Sequence, residues 1–399
     1  MEWKTVRLGD YISIKSGLAY KGSKLGHGDS ILLGMGCVSF KDKFVMTGAR
    51  PYNDVVNDRF CVAPGDIVLA TRQQTDNLPI LAMPAIIPPS FEGKRVIFGT
   101  NLYKVDNHSE ISNRFLFWLL KHQHYVNYIA GVKSGTAVQM VTKKNVEDYK
   151  FLCPPKNERE KIADILWTYD SLIENNKKRI KLLEQMAENL YKEWFVRFRF
   201  PGYETAEFEG GLPKGWRIEK LKDVSSIVYG FPFNSSQFCS DASLNPVVRI
   251  RDIADKHTET YTSEKPDDKY LIHTNDVLIG MDGIFHMNIW TNDGDYLNQR
   301  VVKVTSTKPH LSNLFIFQSI FPQVKMLESI ISGTTVAHLS AKDMCKMTIL
   351  IPDKHTLELS FSKFESMMAM RNKLLIQNDL LTHQRDLLLP RLMSGKLSI

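Results

Sequence analysis

Side chains that could perform catalysis are present, but their spacing matches no known type of active site. Gly34–Gly36 is rich in glycine, yet it lacks the lysine and the hydroxyl residue that a phosphate-binding loop needs. His122 and His124 lie on a predicted amphipathic helix, where solvated histidines are commoner than metal ligands. Cys153–Lys156 has two prolines but neither the amide nor the aromatic residue of an adenine methyltransferase motif, and Pro266–Lys269 is predicted to be a polar loop. We therefore expect no catalytic residue and no bound metal in this chain.

The composition favours a folded protein of two or three domains. The chain has 399 residues, of which 43% are hydrophobic, and a formal net charge of +7. Lysine and arginine can gain free energy by displacing counterions from a polyanion, although a mildly basic enzyme would have the same charge. The five cysteines are scattered without a Cys-x-x-Cys pair, which favours reduced thiols. The sequence lacks a basic leader and any apolar stretch of about 18 residues, so we expect a cytoplasmic chain without a membrane segment.

An internal repeat is the strongest signal in the sequence. Three blocks recur in the same order, and each aligns without a gap. The blocks pair residues 3–17 with 216–230, residues 65–72 with 275–282, and residues 134–154 with 332–352. In the second block, Asp66 matches Asp276, and the apolar run after each predicts a short buried strand. Chance similarity would not preserve the order, so the sequence predicts one unit that is used twice.

The segment from Glu158 to about Trp194 contains neither proline nor glycine. Its apolar and amide residues recur at alternating steps of four and three, a heptad pattern that predicts one helix of about 36 residues, or about 54 Å. We expect this seam to face a second long helix, with one asparagine fixing the register. The predicted seam residues are Ile162, Leu166, Tyr169, Ile173, Asn176, Ile180, Leu183, Ala187, Leu190 and Trp194.

A second long helix is predicted from about Thr356 to Leu389. Its seam is less regular, because Arg371, Asn378 and Arg385 interrupt the apolar side. An ordinary amphipathic helix would explain either stripe alone, but a helix of this length needs another long helix to cover it. We therefore expect the two helices to pack antiparallel against each other. The apolar residues predicted for the second seam are Phe361, Phe364, Met368, Leu375, Leu381 and Leu388.

Outside these helices, short β-branched segments and turn signals predict mixed domains, with further helices at about 113–128 and 312–330. Proline, paired glycine and charge mark residues 195–216 as a boundary. We predict an α+β fold in which two repeated mixed α/β domains are joined by two long antiparallel coiled-coil helices with pseudo-twofold symmetry. The predicted segments are 1–154 for the first domain, 155–199 for the first helix, 200–352 for a linker and the second domain, and 353–399 for the second helix.

Three segments resemble the specificity subunits of type I restriction-modification systems. Leu212–Trp216, which leads into Leu221–Val224, resembles the boundary before their second domain. Pro154–Ala163 resembles the entry to their central helix, and Leu182–Glu184 resembles part of that helix. The resemblance spans essentially the whole chain, although Pro352–His355 departs from the usual Pro-Leu-x-Glu-Gln entry to the second helix.

This resemblance implies that each domain is a target-recognition domain for one half of a split, asymmetric site in double-stranded DNA. It also implies that the helices set the spacing of the half-sites and dock two methyltransferase subunits, through which motor-nuclease subunits join the complex. AdoMet, ATP and Mg would then be bound by those partners, with no cofactor on this chain. A subunit of a type IIB-like or modification-only system stays open, as do a coiled-coil adaptor of two protein-binding domains and an enzyme of unknown type.

Under this interpretation, side chains that reach base edges should lie on loops, where they can vary without unfolding the scaffold. The loop after the first predicted buried strand is rich in arginine and amide residues, and its counterpart in the second copy has different chemistry. A polar surface loop is the alternative. The residues predicted to read bases are Arg72, Gln73, Gln74 and Asn77 in the first domain, and His286 and Asn288 in the second.

Glycine-containing turns at 133–136 and 332–335 offer hydroxyl and backbone N–H groups that suit phosphate oxygens. Polar residues shortly after Gly17 and Gly230 form another matched pair of loops. A structural turn could also repeat, so both interpretations stay open. The residues predicted to contact phosphates are Lys21, Lys24, Lys133, Ser134, Thr136 and Lys143 in the first domain, and Asn234, Ser235, Ser332, Thr334 and Thr335 in the second.

Overall fold

Two units make up the computed structural model of the chain. The structure describes residues 3–74, 79–331 and 337–397. Unit 1 comprises Met1–Glu174 and Asn378–Ile399, and unit 2 comprises Asn175–Gln377. Both boundaries lie inside long helices, so each unit contains a part of both. The domain limits at 154, 199 and 352, which the sequence analysis drew outside the helices, stay predictions.

Unit 1 is built mainly from two four-stranded sheets. Its strands are β1 (Lys4–Arg7), β2 (Ile12–Ser16), β3 (Leu25–Leu33), β4 (Ala49–Tyr52), β5 (Cys61–Val62), β6 (Ile67–Ala70), β7 (Arg72–Gln73), β8 (Pro84–Ile86), β9 (Val96–Phe98), β10 (Leu102–Asn107), β11 (Gln139–Met140) and β12 (Lys150–Cys153). Its helices are α1 (Asn113–Lys121), α2 (Gln123–Val132), α3 (Lys143–Glu147) and the first part of α4 (Lys156–Tyr191). The two sheets have the orders β2-β10-β6-β8 and β4-β3-β9-β5, and only short ladders join β1 to β12 and β7 to β11.

Unit 2 is built from the same kinds of element. Its strands are β13 (Phe208–Glu209), β14 (Leu212–Pro213), β15 (Arg217–Lys220), β16 (Ser225–Tyr229), β17 (Asn245–Val248), β18 (Tyr261–Thr262), β19 (Leu271–Ile272), β20 (Val277–Gly280), β21 (Met287–Ile289), β22 (Asp295–Leu297), β23 (Val301–Ser306) and β24 (Thr348–Ile351). Its helices are α5 (Leu221–Val224), α6 (Ile250–Asp255), α7 (Asn313–Ile331), α8 (Ala341–Lys346) and the first part of α9 (Lys354–Met393). The sheets have the orders β16-β23-β20-β21 and β18-β17-β22-β19.

The strand orders of the two units correspond position by position, which confirms the predicted repeat. Strand β10 lies between β2 and β6 in unit 1, as β23 lies between β16 and β20 in unit 2, and all these pairs are antiparallel. In the second sheets, β3 runs parallel to β9, as β17 runs parallel to β22. Strands β1 and β12 correspond in the same way to β15 and β24.

Side chains and close backbone contacts repeat along with the strands. A Cβ atom added to Gly17 would lie 2.0 Å from the oxygen of Gly99, and one added to Gly230 would lie 1.9 Å from the oxygen of Asn298. Only glycine tolerates so close a backbone approach at these two positions. An ion pair beside the first sheet also recurs. Lys104 pairs with Asp66 in unit 1 at 2.7 Å, and Lys303 lies 3.9 Å from Asp276 in unit 2.

One helix predicted from the sequence is interrupted in the structure. The predicted helix at 113–128 is divided into α1 and α2, because His122 has an extended conformation with φ −67° and ψ 139°. This break allows the buried ring of Tyr125 to pack edge-on against Tyr149, with 5.0 Å between the ring centroids. The corresponding helix of unit 2, α7, is continuous and confirms the prediction made for 312–330.

Two long helices are present, as the sequence predicts. Helix α4 has 36 residues and continues into a π-helical turn at Lys192–Val196, and α9 has 40 residues. Of the predicted seam residues, Ile162, Leu166, Ile173, Asn176, Ile180, Ala187, Trp194, Phe364 and Met368 are buried. The partly buried ones are Tyr169, Leu183, Leu190, Phe361, Leu375, Leu381 and Leu388.

The structure revises the sequence interpretation of the polar residues on α9. Steps of seven residues lead from Phe364 through Arg371, Asn378 and Arg385 to Leu392, and this row lies on the covered side of the helix. The sequence analysis treated the three polar members of the row as interruptions of the seam. They instead occupy it, because each of the two arginines has an acidic partner on α4.

In unit 1, the partner of Arg385 is Asp170. Nη1 of Arg385 donates to Oδ1 of Asp170 at 2.6 Å, and the two side chains are only 13% and 7% exposed. Burial raises the pKa of Asp170, whereas the adjacent guanidinium group favours the charged carboxylate. The guanidinium group also lies 5.6 Å from the centroid of the Trp118 ring. A charged pair this deeply buried is stable only while both members are present.

In unit 2, the arginine of α9 that pairs with an acid on α4 is Arg371, whose side chain is 5% exposed. Its Nε donates to Glu184 at 3.3 Å, and its Nη2 donates to the backbone oxygen of Ile289 at 3.3 Å. Asn176 donates from Nδ2 to Oε1 of Gln377 at 3.2 Å. Both acids therefore lie on α4 and both arginines on α9.

Within each unit, the parts of α4 and α9 run antiparallel. In unit 2, Asn176 contacts Gln377, whereas the later Glu184 contacts the earlier Arg371. In unit 1, Trp3 links the two ends of the pair: its indole nitrogen donates to Glu158, and its ring packs beside Gly395. Both units therefore confirm the predicted antiparallel pairing.

We predict that replacing Arg385 with leucine lowers the free energy of unfolding by about 3–5 kcal/mol, because Asp170 would be left buried without a cation. Replacing both residues with leucine should recover most of this loss. Thermal and urea unfolding followed by circular dichroism measure the effect. Lys192→Ala is the matched control, since that lysine forms an exposed pair with Glu188 and its loss should leave the midpoint unchanged. Equal midpoints for the single and double leucine variants would contradict the prediction.

Candidate nucleic-acid interface

Two of the predicted polar segments of unit 1 meet at one end of its first sheet. Strand β7 follows β6 directly and pairs antiparallel with β11, so that Arg72 lies opposite Met140 and Gln73 opposite Gln139. Met140 in turn forms a two-way backbone bridge with Ser134 at 2.8 and 3.0 Å. The structure therefore brings Arg72 and Gln73 next to the turn that contains Ser134, although these segments are far apart in sequence.

The side-chain amide of Gln73 is engaged within the protein. Gln73 is buried, its Nε2 donates to Oε1 of Gln139 at 2.6 Å, and its Oε1 accepts the backbone N–H of Leu81 at 2.9 Å. Gln74, the next residue, is exposed. The amide of Gln73 thus positions the loop, while Gln74 is free of that constraint. The base-reading role of both glutamines stays a prediction.

Arg72 differs from Gln73 because one of its hydrogen-bond donors has no partner among the described residues. Its Nε is buried and has no hydrogen-bond partner among the described residues. Burial raises the pKa of the Tyr103 hydroxyl, and the positive charge of Arg72 partly offsets that effect. Asn101, whose backbone oxygen accepts the N–H of Thr71 at 3.0 Å, has a buried Oδ1 that also lacks a partner within the described part of the chain.

The predicted phosphate-binding turn of unit 1 connects α2 to β11. Lys133 caps the C-terminus of α2, and Ser134 and Thr136 are exposed on either side of Gly135, whose φ is +92°. Lys143 is the first residue of α3, shortly after β11. These four residues therefore lie around the same end of the unit as Arg72, and their phosphate contacts stay predictions.

Unit 2 has the same backbone arrangement with different side chains. Asp282 forms an antiparallel bridge with His338, as Arg72 does with Met140. Oδ1 of Asp282 accepts a hydrogen bond from Nδ1 of His338 at 2.6 Å, and its Oδ2 lies 3.6 Å from Nε of Arg300. The sequence analysis did not select these three residues. A Lys-Val pair occurs at 104–105 in the first copy and at 303–304 in the second. Aligning the two copies on this pair would have placed Arg300 at the end of the corresponding strand of unit 1.

The residues that were selected in the second domain lie elsewhere. His286 is in the turn between β20 and β21, where its backbone oxygen accepts the N–H of Gly280 at 2.8 Å. Asn288 lies in β21 and donates to the backbone oxygen of Ile253 at 3.1 Å, so its amide packs against α6. Their base-reading roles stay predictions. Four further residues selected from the sequence, one in the first domain and three in the second, fall outside the described part of the chain: Asn77, Ser332, Thr334 and Thr335.

The remaining predicted contacts lie beside the second sheet of each unit. Lys21 and Lys24 flank a single turn whose backbone is fixed by Tyr52 and Asn53. Asn234 caps the matching turn of unit 2, since its Oδ1 accepts the N–H of Ser236 at 3.1 Å, while Ser235 is exposed. The structure does not place these residues in the ladder of Arg72 or in that of Asp282.

The described ranges offer little for other chemistry. They contain no group of three histidine, cysteine, aspartate or glutamate residues that could hold a metal ion. None of the helices described is both long and apolar enough to span a bilayer.

Comparison with known proteins identifies the family. A family profile described as the type I restriction modification DNA specificity domain matches residues 1–185 and 213–369. The chain belongs to this family. The two matched ranges correspond to the two copies of the repeat, so each copy by itself is a specificity domain of the type I restriction-modification family.

Curated members of the type I specificity family align over large parts of the chain. The MjaIX specificity subunit of Methanocaldococcus jannaschii is 25% identical over 311 residues, which cover 72% of this chain and 70% of that protein. The HindI specificity subunit of Haemophilus influenzae is 24% identical over 360 residues, covering 71% and 77%. The EcoBI specificity subunit of Escherichia coli is 28% identical over 154 residues, which cover 39% of this chain and 32% of that protein.

A solved structure shares the fold. The S subunit of the type I restriction-modification system from M. genitalium superimposes with a TM-score of 0.58 over 98% of this chain and 96% of that one, at 13% sequence identity. At this identity the likeness shows the fold alone. The fold is therefore shared at a sequence identity of only 13%.

Proposed function

We propose that this chain is the DNA-recognition subunit of a type I restriction-modification complex, and that each unit reads one half of a bipartite, asymmetric site in double-stranded DNA. One observation carries the proposal. The same strand order occurs twice, while the end of the first sheet presents Arg72 in one unit and Asp282 with His338 in the other. Identical scaffolds with different polar groups suit a site whose two halves differ in sequence.

The electrostatics support a nucleic-acid partner. The chain has a formal net charge of +7, and Arg72, Lys133 and Lys143 all belong to one end of unit 1. Cations in such a position can pair with phosphate oxygens, while groups on the short ladder contact base edges. Phosphate contacts would supply affinity that depends strongly on salt, and the ladder would supply sequence preference.

We predict that exchanging residues 1–150 for those of another family member changes only one half of the recognised sequence, since this segment contains both four-stranded sheets of unit 1 and neither long helix. Methylome sequencing of cells that express the chimera with its methyltransferase subunit measures the motif. The reciprocal exchange of residues 200–352 is the matched control and should change only the other half. A change in both halves after either exchange would contradict modular reading.

The same proposal assigns the helices a role in spacing. Helix α4 has 36 residues, or about 54 Å, which exceeds the roughly 34 Å of one DNA turn that separates two readers on one face of the duplex. The buried pair Arg385–Asp170 in unit 1, and the pair of the buried Arg371 with the exposed Glu184 in unit 2, favour one register of the helix pair in each unit. A fixed register would give a fixed number of unspecified base pairs between the half-sites.

We predict that a seven-residue insertion in both helices lengthens the unspecified gap by about three base pairs, since seven residues add roughly 10 Å of helix and a base pair rises about 3.4 Å. The insertions belong between Glu174 and Asn175 and between Gln377 and Asn378, where they keep the heptads and both ion pairs between α4 and α9. Methylome sequencing reports the gap. Inserting seven residues in α4 alone is the control, and should abolish folding by disrupting the register. An unchanged gap in the double insertion would refute the spacing role.

Docking of methyltransferase subunits is the other proposed role of the helices. On α4, Leu182 and Met186 lie one turn apart and are 57% and 53% exposed. The same part of unit 2 has a cavity of about 770 Å³ between α4, α7 and α9, where apolar side chains such as Phe317 and Met367 are mixed with charged and amide side chains. Exposed apolar side chains beside such a cavity are typical of a protein-binding surface. In this scheme the methyltransferases bind AdoMet, motor-nuclease subunits bind ATP and Mg, and the chain catalyses nothing.

We predict that Leu182→Glu combined with Met186→Glu weakens binding of the methyltransferase subunit at least tenfold, because the partner would have to desolvate two carboxylates. Light scattering and titration of the purified subunits measure assembly. Ile218→Glu is the matched control: Ile218 lies on β15 of the same unit, is 63% exposed, and should tolerate the change. Unaltered assembly of the double variant would exclude this surface as the docking site.

A further inference from the structure

The first sheets of the two units end in equivalent sets of polar residues. After β6, the N–H of Thr71 donates to the oxygen of Asn101 at 3.0 Å, and after β20 the N–H of Met281 donates to the oxygen of Arg300 at 2.9 Å. Asn101 and Arg300 therefore occupy the same backbone position. Adjacent to them, the position of Arg72 in unit 1 corresponds to that of Asp282 in unit 2.

In unit 2, these positions form a connected cluster. Asp282 accepts a hydrogen bond from His338 and pairs with Nε of Arg300. Neither Nη1 nor Nη2 of Arg300 makes a hydrogen bond within the described ranges, and the side chain is 51% exposed. The forked end of the guanidinium group is thus available, while Nε and the histidine hold the carboxylate in place.

Arg300 also has an unfavourable backbone conformation. Its φ is +71°, in the left-handed region that costs free energy for any residue with a Cβ atom. Glycine would occupy this position without strain. Strain of this kind is found at functional sites, where the side chain is needed at that place.

In unit 1, the same two positions carry buried polar atoms without a hydrogen-bond partner among the described residues. The buried Nε of Arg72 and the buried Oδ1 of Asn101 have no hydrogen-bond partner among the described residues. A cavity of about 240 Å³ adjoins Asn101 and is lined by Tyr20, Arg50 and glycine backbone. Buried groups without partners are unfavourable unless a ligand satisfies them. The position in unit 1 therefore offers one unpaired donor and one unpaired acceptor to a ligand or to water.

We propose that Arg300, Asp282 and His338 are specificity-determining residues, which read one G·C base pair in the major groove of the half-site of unit 2. This inference rests on the proposed function of the chain as a DNA-recognition subunit. Nη1 and Nη2 of Arg300 donate to O6 and N7 of guanine, and the carboxylate of Asp282 accepts from the N4 amine of the paired cytosine. His338 is a positioning residue, because its hydrogen bond fixes the carboxylate.

The pattern of donors and acceptors selects this base pair over the others. Guanine presents two acceptors side by side in the major groove, and cytosine presents a donor next to them. An A·T pair at the same place would set the amine of adenine against the guanidinium group, and would offer no donor to Asp282 from thymine. The cluster therefore disfavours A·T through unpaired buried groups as well as through lost bonds.

The test is equilibrium competition between duplexes for the chain assembled with its methyltransferase subunit, at one fixed salt concentration. The duplexes contain the recognised motif with each of the four base pairs, in turn, at every position of the unit 2 half-site. In the unaltered complex, we expect one G·C position at which substitution weakens binding about tenfold to a hundredfold. With Arg300→Gln, this discrimination should fall nearly to equality, while the unit 1 half-site keeps its preferences.

A second variant keeps the test decisive if glutamine disturbs folding. Arg300→Gly removes the strained side chain, so it should raise the thermal midpoint while it abolishes the same discrimination. Arg217→Gln is the matched control, since Arg217 is a 61% exposed arginine of unit 2 that pairs with an acid on β15. The complex that carries Arg217→Gln should recognise the same motif as the unaltered complex.

The outcomes separate this inference from the function on which it rests. If the unaltered complex binds its motif no better than random duplex, the proposed function fails. If the unaltered complex is selective but Arg300→Gln retains G·C discrimination, only the inference is overturned. A uniform loss of affinity for all duplexes, with every preference retained, would also overturn it, because that result is expected of a phosphate contact.

Discussion

The pairing of α4 with α9 is the constraint on which the rest of the structure depends. Each long helix has an apolar stripe that it cannot bury by itself, and each unit uses parts of both helices to close its core. Ion pairs make this pairing selective, because the buried Asp170 and the exposed Glu184 lie on α4 and their arginines on α9. A register that separated Arg385 from Asp170 would leave a buried charge without its partner, so the register is specified.

The repeat separates scaffold from recognition in physical terms. Positions that match between the units are those where the backbone allows no alternative, such as the close approaches at Gly17 and Gly230. Positions that differ include Arg72 and Asp282 at the end of the first sheet, where the side chains differ while the strand order is the same. One scaffold can therefore present Arg72 in one copy and Asp282 in the other.

The sequence was sufficient for the repeat, the long helices and their pairing, because periodicity and order are local properties that need no tertiary information. Polar seam residues such as Arg371 were misinterpreted as interruptions, since their partners are distant in sequence. Gln73 was selected for its chemistry, but an amide 66 residues away engages it. Arg300 was missed because its significance depends on a backbone conformation and on Asp282, a partner distant in sequence that His338 also contacts.

The central claim is that two copies of one reader, with different side chains, are held in fixed register by the helix pair. The most direct measurement is the methylated motif of the unaltered chain, obtained by single-molecule sequencing of DNA from cells that also express its methyltransferase subunit. The account predicts two different half-sites separated by a constant number of unspecified base pairs. A palindromic motif, a continuous motif, or a gap of variable length would contradict it.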